Sequence, residues 1–287
     1  MLALDPNPIE ISLPKGKSVY FISDVHLGLP SKVSSLERER LLLRWLDEVS
    51  PNAGAIFILG DLFDFWFEYK TVVPKGYTRL LGKLALLSDQ GLRFFFFVGN
   101  HDLWMKDYFE TELGIPIYHQ PKAVCIDQKT FWIGHGDGIA PKGKDQGYKF
   151  IKKIFIHPIF QRLFQGIHPD IGIALGSYLS RRKKKKDGKL DFQFFGENKE
   201  WLVQYSQEIL DKGQQFDFFI FGHRHLPMQV SLAPHKAHYI NLGEWVTQFT
   251  YALFEHNTQE VQLIEYPNNT AVLPVEQYVK RYEENLL

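Results

Sequence analysis

The feature that most limits what this chain can fold into is a repeated junction, in which an apolar run stops abruptly at carboxylate, amide or imidazole side chains. Residues 18–23 (SVYFIS) lead into Asp24-Val25-His26, and residues 55–60 (AIFILG) into Asp61-Leu62-Phe63-Asp64. Residues 93–99 (RFFFFVG) lead into Asn100-His101-Asp102, residues 130–134 (TFWIG) into His135-Gly136-Asp137, and residues 216–222 (FDFFIFG) into His223-Arg224-His225. Runs this rich in β-branched and aromatic residues, without polar alternation, predict strands covered on both faces. Four of the five runs end in glycine, which lets the backbone turn sharply.

Three further strands are predicted at 238–243, 249–255 and 261–266. Between the early strands lie helical patterns. Leu42, Trp45, Leu46 and Val49 follow Ser34 or Ser35 as a cap, and Leu80, Leu81, Leu84 and Leu87 precede a closing Gly91. Strand and helix alternating over the first hundred residues predict an α/β layered fold with a parallel sheet. The close spacing of the last three strands predicts an antiparallel meander at the end of a second sheet. Residues 141–200 break the rhythm and predict a helical, aromatic and basic insertion, a cap over the core.

A chain of 287 residues, 45% hydrophobic and 23% charged, can bury a large core without staples, and no disorder is expected. Its 33 Lys and Arg balance 33 Asp and Glu, so no global field draws it to nucleic acid or membrane. The single cysteine, Cys125, excludes an intramolecular disulfide framework and fits a reducing compartment; beside Val124 and Ile126 it is expected to be a small buried hydrophobe. The N-terminal MLALDPNPIEISLPKGK has no apolar core of signal length, and no stretch reaches the ~18 apolar residues of a membrane span. A cytoplasmic protein is expected, touching membranes only from their surface.

One acidic or imidazole residue at a strand end is ordinary, serving as a cap or turn former. Five such ends are not, because ligands in open α/β sheets bind just beyond the carboxyl ends of strands. Carboxylates massed at one edge repel, and divalent cations neutralise them. A donor set of carboxylate, imidazole and amide without thiolate suits Mn²⁺, Fe²⁺ or Zn²⁺ in a reactive site rather than a structural zinc.

Together the five segments resemble the calcineurin-like metallophosphoesterases, whose pattern runs D-x-H, G-D-x-x-D, G-N-H-D, H and G-H-x-H; the match spans residues 24–225. The resemblance implies a two-sheet sandwich in α-β-β-α layers, one domain over 1–287 with the helical cap at about 141–200 inserted. It implies two divalent ions, Mn²⁺ first, with Fe or Zn as alternatives. Asp24, His26 and His225 would hold one ion, Asn100, His135 and His223 the other, and Asp61 would bridge them. Two such ions can clamp the attacking and leaving oxygens of a displacement at phosphorus. His101 would then face the phosphate as stabiliser or general acid, oriented by Asp102, with Asp64 behind the ligands or in the substrate pocket. The histidines at 119, 157, 168, 235, 238 and 256 match no motif and are read as structural or exposed.

A narrower likeness rests on GDLFDFW, on HGDG followed by Tyr148, on GHRHLP, and on YINLGEWVTQFTYALFE leading to VQLIEYP. Over residues 18–267 these resemble the bacterial UDP-2,3-diacylglucosamine hydrolases of lipid A synthesis. That implies cleavage of a lipid-linked nucleotide pyrophosphate to UMP and a lipid phosphate, with the acyl chains received by the cap at the inner face of the inner membrane. Phe150, Ile151, Ile154, Phe155, Ile159, Phe160, Leu163 and Phe164, interleaved with Lys149, Lys152, Lys153 and Arg162, suit a lipid-facing basic helix and equally a stripe packed on the core. The run Arg181–Lys186 is by default a solvated stretch, though near anionic lipid each cation is worth about 1 kcal/mol. Tyr148 and Lys152 are candidate substrate contacts. The one departure is His101, where the lipid A enzymes carry arginine and the wider family histidine. It keeps open a phosphodiesterase or phosphatase acting on a soluble nucleotide, nucleic acid being disfavoured by the zero net charge. A non-catalytic metal-bound scaffold is the remaining alternative; it predicts a damaged ligand set, and every expected ligand is present.

Overall fold

The computed structural model describes residues 5–139, 152–191 and 193–286, with backbone alone for 181–191 and 282–286. Tyr148, Lys149, Phe150 and Ile151 therefore lie outside the described residues. The elements, in order, are β1 (Ile9–Ile11), β2 (Ser18–Ile22), α1 (Ser35–Val49), β3 (Ala53–Leu59), α2 (Thr78–Asp89), β4 (Arg93–Phe97), α3 (Tyr108–Leu113), β5 (Ile117–Tyr118), β6 (Lys122–Ile126) and β7 (Lys129–Ile133). Then follow α4 (Pro158–Gln165), α5 (Pro169–Asp191), α6 (Trp201–Asp211), β8 (Phe218–Phe221), β9 (Met228–Ser231), β10 (His238–Asn241), β11 (Thr250–Glu255), β12 (Val261–Glu265), β13 (Thr270–Ala271) and α7 (Val275–Leu286).

Two mixed sheets form, in the orders β1-β6-β7-β8-β10-β9 and β13-β12-β11-β2-β3-β4-β5. The segments predicted as buried strands pair in parallel, β2 with β3, β3 with β4, and β7 with β8. Their inner faces meet in an aromatic core, where Phe21 stacks on Phe57 at 5.2 Å and on Phe131, from the opposite sheet, at 6.1 Å. The outer face of the seven-stranded sheet is covered by α1, α2 and α3 through Leu42, Trp45, Leu80, Leu84 and Phe109. That of the six-stranded sheet is covered by α6 and α7 through Leu202, Ile209 and Val275. The predicted α-β-β-α layering follows directly from apolar residues on both faces of each sheet. Ser34 caps α1 in a capping box with Glu37, as its position ahead of the apolar stripe requires.

The terminal meander needs correction. Strand β10 belongs to the six-stranded sheet, parallel to β8, and only β11, β12 and β13 run antiparallel in the other. The switch of sheets is made in the eight residues between β10 and β11. There the buried Glu244 carboxylate accepts the backbone N–H groups of Val246, Thr247 and Gln248, fixing a turn that swings the chain across the core. Cys125 is also only half-buried, on a strand whose Val124 and Ile126 face inward, and burial pushes its thiol pKa up.

Between β7 and α6 the described part of the helical segment comprises α4 and α5. Its expected apolar face divides. Phe155, Phe160 and Phe164 pack around Trp104, with ring centroids at 5.5, 6.0 and 4.7 Å, and Phe164 also meets Phe67. Ile154, Ile159 and Leu163 stay 39%, 61% and 70% exposed.

Candidate metal centre

The predicted metal ligands, with the neighbouring catalytic and pocket candidates, come from the ends of strands in both sheets. Asp24 and His26 follow β2, Asp61 and Asp64 follow β3, and Asn100, His101 and Asp102 follow β4, all in one sheet; His135 follows β7 and His223 and His225 follow β8 in the other. The backbone at these exits is unusual. Asp24, His26, Asp61, His223 and His225 adopt φ of 55°, 47°, 53°, 67° and 54°, a left-handed conformation that side-chain-bearing residues avoid. Such strain persists only where the surroundings enforce it, and it gathers at functional sites. Gly99 is required for a steric reason instead: a Cβ there would collide with the Asp61 carboxylate.

The side chains converge. Asp24, His26, Asp61, His135 and His225 are all buried. Asp24, His26 and His225 offer ligand atoms within 4.8 Å of one another, as do Asp24, Asp61 and His135, and as do His26, Asp61 and His101. His225 Nε2 lies 3.1 Å from Asp24 Oδ1 and 3.2 Å from His26 Nε2. His135 Nε2 is 3.4 Å from Asp61 Oδ2 and 3.3 Å from Asn100 Oδ1, while His26 Nε2 is 3.7 Å from Asp61 Oδ2. The His223 ring stands 5.1 Å from that of His135, and its backbone N–H donates to Asp24 Oδ2 at 2.9 Å.

These spacings fit divalent ions. Ligand bonds of about 2.0–2.2 Å place neighbouring ligand atoms about 3.0–3.6 Å apart, and the buried carboxylates Asp24 and Asp61, crowded at one edge, call for positive charge to offset their repulsion. Outer contacts hold these candidate ligands in place. His135 Nδ1–H donates to the Leu59 carbonyl at 2.7 Å, which leaves Nε2 as the donor nitrogen. Asp61 Oδ1 accepts the backbone N–H of His101 at 2.8 Å.

The electrostatics follow from crowding. Burial raises the Asp61 carboxyl, but His135, His101 and His26 outweigh it and hold it well below the usual carboxylate range. Asp24 behaves likewise, with His225 the chief opponent of burial. For His135, burial lowers the pKa and Asp61 more than restores it, to about 10; for His223, burial and then the His135 charge bring it down to about 4.

Asp102 does something other than orient His101. Its two oxygens accept the backbone N–H groups of Gly99 (2.7 Å) and Leu62 (2.9 Å), tying the exits of β3 and β4 together, and burial with the nearby Asp61 charge raises it to about 7. His101 Nδ1 instead meets the Asp64 carbonyl at 2.9 Å. The Asp64 carboxylate lies behind His101 and His26, at 3.5 and 3.8 Å from their Nδ1 atoms. Lys152 reaches from the helical segment to form an ion pair with the buried Asp137.

Three residues escape motif reading. Arg38 is buried on α1, and its guanidinium donates to the carbonyls of His26 and Leu29 (both 2.9 Å) and Val33 (2.7 Å), clamping the loop that carries His26. Its place four residues before Leu42 on the apolar stripe was a usable signal. Arg224, between the two histidines of its motif, makes a two-point ion pair with the buried Glu200. The third, Ser180, touches both Asp64 and His101.

Comparison with known proteins agrees with this geometry. A family profile described as "Calcineurin-like phosphoesterase" matches residues 17–227. A protein of Porphyromonas gingivalis named UDP-2,3-diacylglucosamine hydrolase is 37% identical over 257 residues, covering 86% of this chain and 97% of its own length. A protein of the same name from Proteus mirabilis is 28% identical over 255 residues, covering 86% of this chain and 98% of its own. Among solved structures, the E. coli phosphoesterase Yfce covers 89% of this chain and 97% of its own at 14% identity, with a TM-score of 0.45. With its motifs in order and their side chains gathered at one edge of two facing sheets, the chain belongs to the calcineurin-like phosphoesterase family.

Proposed function

We propose that this hydrolase acts on UDP-2,3-diacylglucosamine or a closely similar lipid-linked nucleotide, releasing UMP and a lipid phosphate. The observation that carries the reading is the 37% identity, over nearly the whole length of both chains, to a protein bearing that name. Asp24, His26 and His225 would hold one divalent ion and Asn100, His135 and His223 a second, with Asp61 between them. Mn²⁺ is the proposed metal, its donor set being oxygen and imidazole. When bound, the ions supply Lewis acidity at the phosphoryl group and lower the pKa of water.

The chain's own residues do the rest. His101, with Nδ1–H given to the Asp64 carbonyl, keeps Nε2 for the substrate and hands a proton to the leaving oxygen as the P–O bond breaks. Asp64 supports that ring from behind. Tyr148 and Lys152 are proposed substrate contacts; for Lys152 the support is its ion pair with Asp137, two residues after His135. Residues 141–200 act as a cap on a single domain. The exposed Ile154, Ile159 and Leu163 supply an apolar surface for acyl chains and for contact with the membrane face. No helix among the described residues is long and apolar enough to cross a membrane.

The test is substrate comparison: UMP release from UDP-2,3-diacylglucosamine should exceed turnover of ADP-ribose and other soluble pyrophosphates at equal concentration. Equal or faster hydrolysis of a soluble nucleotide would overturn the lipid reading in favour of a soluble-nucleotide phosphodiesterase. That second reading is favoured by one observation, the histidine at position 101.

Metal loading carries its own pH signature. Ligand imidazoles must be neutral, and His135 in the metal-free protein, held up at about 10, is protonated near pH 8. Binding therefore releases its proton, and affinity falls as pH drops from 9 towards 7, His135 alone contributing about tenfold per pH unit. His223, near 4, is already neutral and adds nothing to the slope. Calorimetric Mn²⁺ titrations in two buffers of different ionisation enthalpy should register about one proton from His135; identical heats in both would contradict the assignment.

A further inference from the structure

The ring of His101 is held from a direction that none of the sequence motifs supplies. Helix α5 crosses the loop following β3 with one stripe of small residues, at positions 172, 176 and 180, four apart and therefore on one face. Gly172 lies against the Tyr69 hydroxyl and Gly176 against the Phe65 ring, so closely that a Cβ at either would overlap its neighbour. The next member of the stripe is consequently brought down to the site. Ser180 Oγ stands 3.1 Å from Asp64 Oδ1 and 3.1 Å from His101 Nδ1.

The hydrogen-bond directions are fixed by chemistry. A carboxylate only accepts, so Ser180 donates its hydroxyl proton to Asp64. A carbonyl only accepts, so Nδ1 of His101 bears a proton, shared between the Asp64 carbonyl at 2.9 Å and the lone pair of Ser180. Asp64 is 2% exposed, so its carboxylate is a fixed anchor. The ring is thereby pinned by main chain on one side and by a helix of the cap on the other, with Nε2 as the nitrogen left for the substrate.

We propose that Ser180 is a positioning residue for the hydrolysis: through Asp64 and His101 it makes seating of the cap helix a condition for proton delivery to the leaving group. This rests on the reading of His101 as proton donor. The role is separable from metal binding, since Ser180 touches none of the proposed ligands.

The experiment compares Ser180→Ala, Ser180→Thr, His101→Ala and the double variant His101→Ala/Ser180→Ala, each loaded with Mn²⁺ and checked for metal content by elemental analysis. Two substrates separate the roles. Bis-p-nitrophenyl phosphate has a leaving group that needs little protonation, whereas a nucleotide alkyl phosphodiester has one that needs it fully. Ser180→Ala is expected to lower kcat on the alkyl ester about 10–100-fold, with KM and metal content unchanged, and to change the nitrophenyl reaction far less. Ser180→Thr, which keeps the hydroxyl, should restore most of the loss. The double variant should be no slower than His101→Ala alone, because the serine acts only through the ring.

Gly176→Leu, which lifts the helix from Phe65 without touching Ser180, should reproduce the leaving-group dependence. Additive losses in the double variant, or equal losses on both substrates in Ser180→Ala, would overturn the assignment. If His101→Ala itself left the alkyl ester reaction unchanged, the proton-donor reading would fall and this inference with it. If His101→Ala were impaired and Ser180→Ala were not, only the inference would fall.

Discussion

Asp61→Asn should lose at least about 10²–10³ in kcat, the scale set by removing one preorganised charge-stabilising group, and should bind fewer Mn²⁺ per chain. The substitution keeps the shape and takes away the charge. Asp61 is the carboxylate nearest the middle of the cluster, within 3.4 Å of His135 Nε2 and 3.7 Å of His26 Nε2, and its Oδ1 holds the backbone of His101. An amide there leaves His135 without the partner that opposes its burial. Folding should survive, because a side-chain amide oxygen can still accept the His101 N–H. The measurement is metal stoichiometry by elemental analysis beside turnover of bis-p-nitrophenyl phosphate. Wild-type values for both would remove Asp61 from the centre of the site.

The largest stability effect is expected at Arg224 and Glu200, whose side chains are only 2% and 1% exposed. The guanidinium meets the carboxylate at 2.7 and 3.0 Å, donates to the Gln193 carbonyl at 2.8 Å and lies 4.6 Å from the Trp201 ring. Removing one partner strands a buried charge, which costs about 3–5 kcal/mol, whereas replacing both with apolar groups is often close to neutral. Arg224→Met and Glu200→Leu should therefore each lower the free energy of unfolding by that amount in urea titrations, and the double variant should recover most of it. Because residue 224 separates His223 from His225, the single variants should also retain Mn²⁺ less well. If the double variant were as unstable as the sum of the singles, the pair would matter for packing rather than charge.

Much of this was readable from sequence because burial and chemistry pull in opposite directions at the strand ends. Phe94–Phe97 demands an interior, Asn100-His101-Asp102 demands a polar task, and the two can be adjacent only where a sheet meets a site. The sheet membership of β10 was not readable, since it is decided by Glu244 bonding three backbone N–H groups, an arrangement without a local pattern. Short strands such as β1 and β5, of three and two residues, carry too little periodicity to register. Asp102 looked like the partner of the adjacent His101, but its carboxylate is taken by Gly99 and by Leu62, forty residues away in sequence. Ser180 is one hydroxyl in a helix, and nothing local distinguishes it from Ser177. The divided face around Phe164 follows from Phe67 and Trp104, which offer aromatic surface for only half of it.

The proposed donors of the metal centre are drawn from both sheets, whose facing surfaces otherwise meet in an apolar core with polar ties at the rim, such as Arg93 to the Glu10 carbonyl and His256 to Asp127. Interdigitated phenyl rings resist separation but oppose sliding weakly, whereas an ion held, as proposed, by Asp24 on one side and His225 on the other would be a rivet that fixes shear as well as distance. Chelation should then do more than stop turnover: hydrogen exchange ought to quicken along the seam between β2 and β8 while the outer helices stay as protected as before.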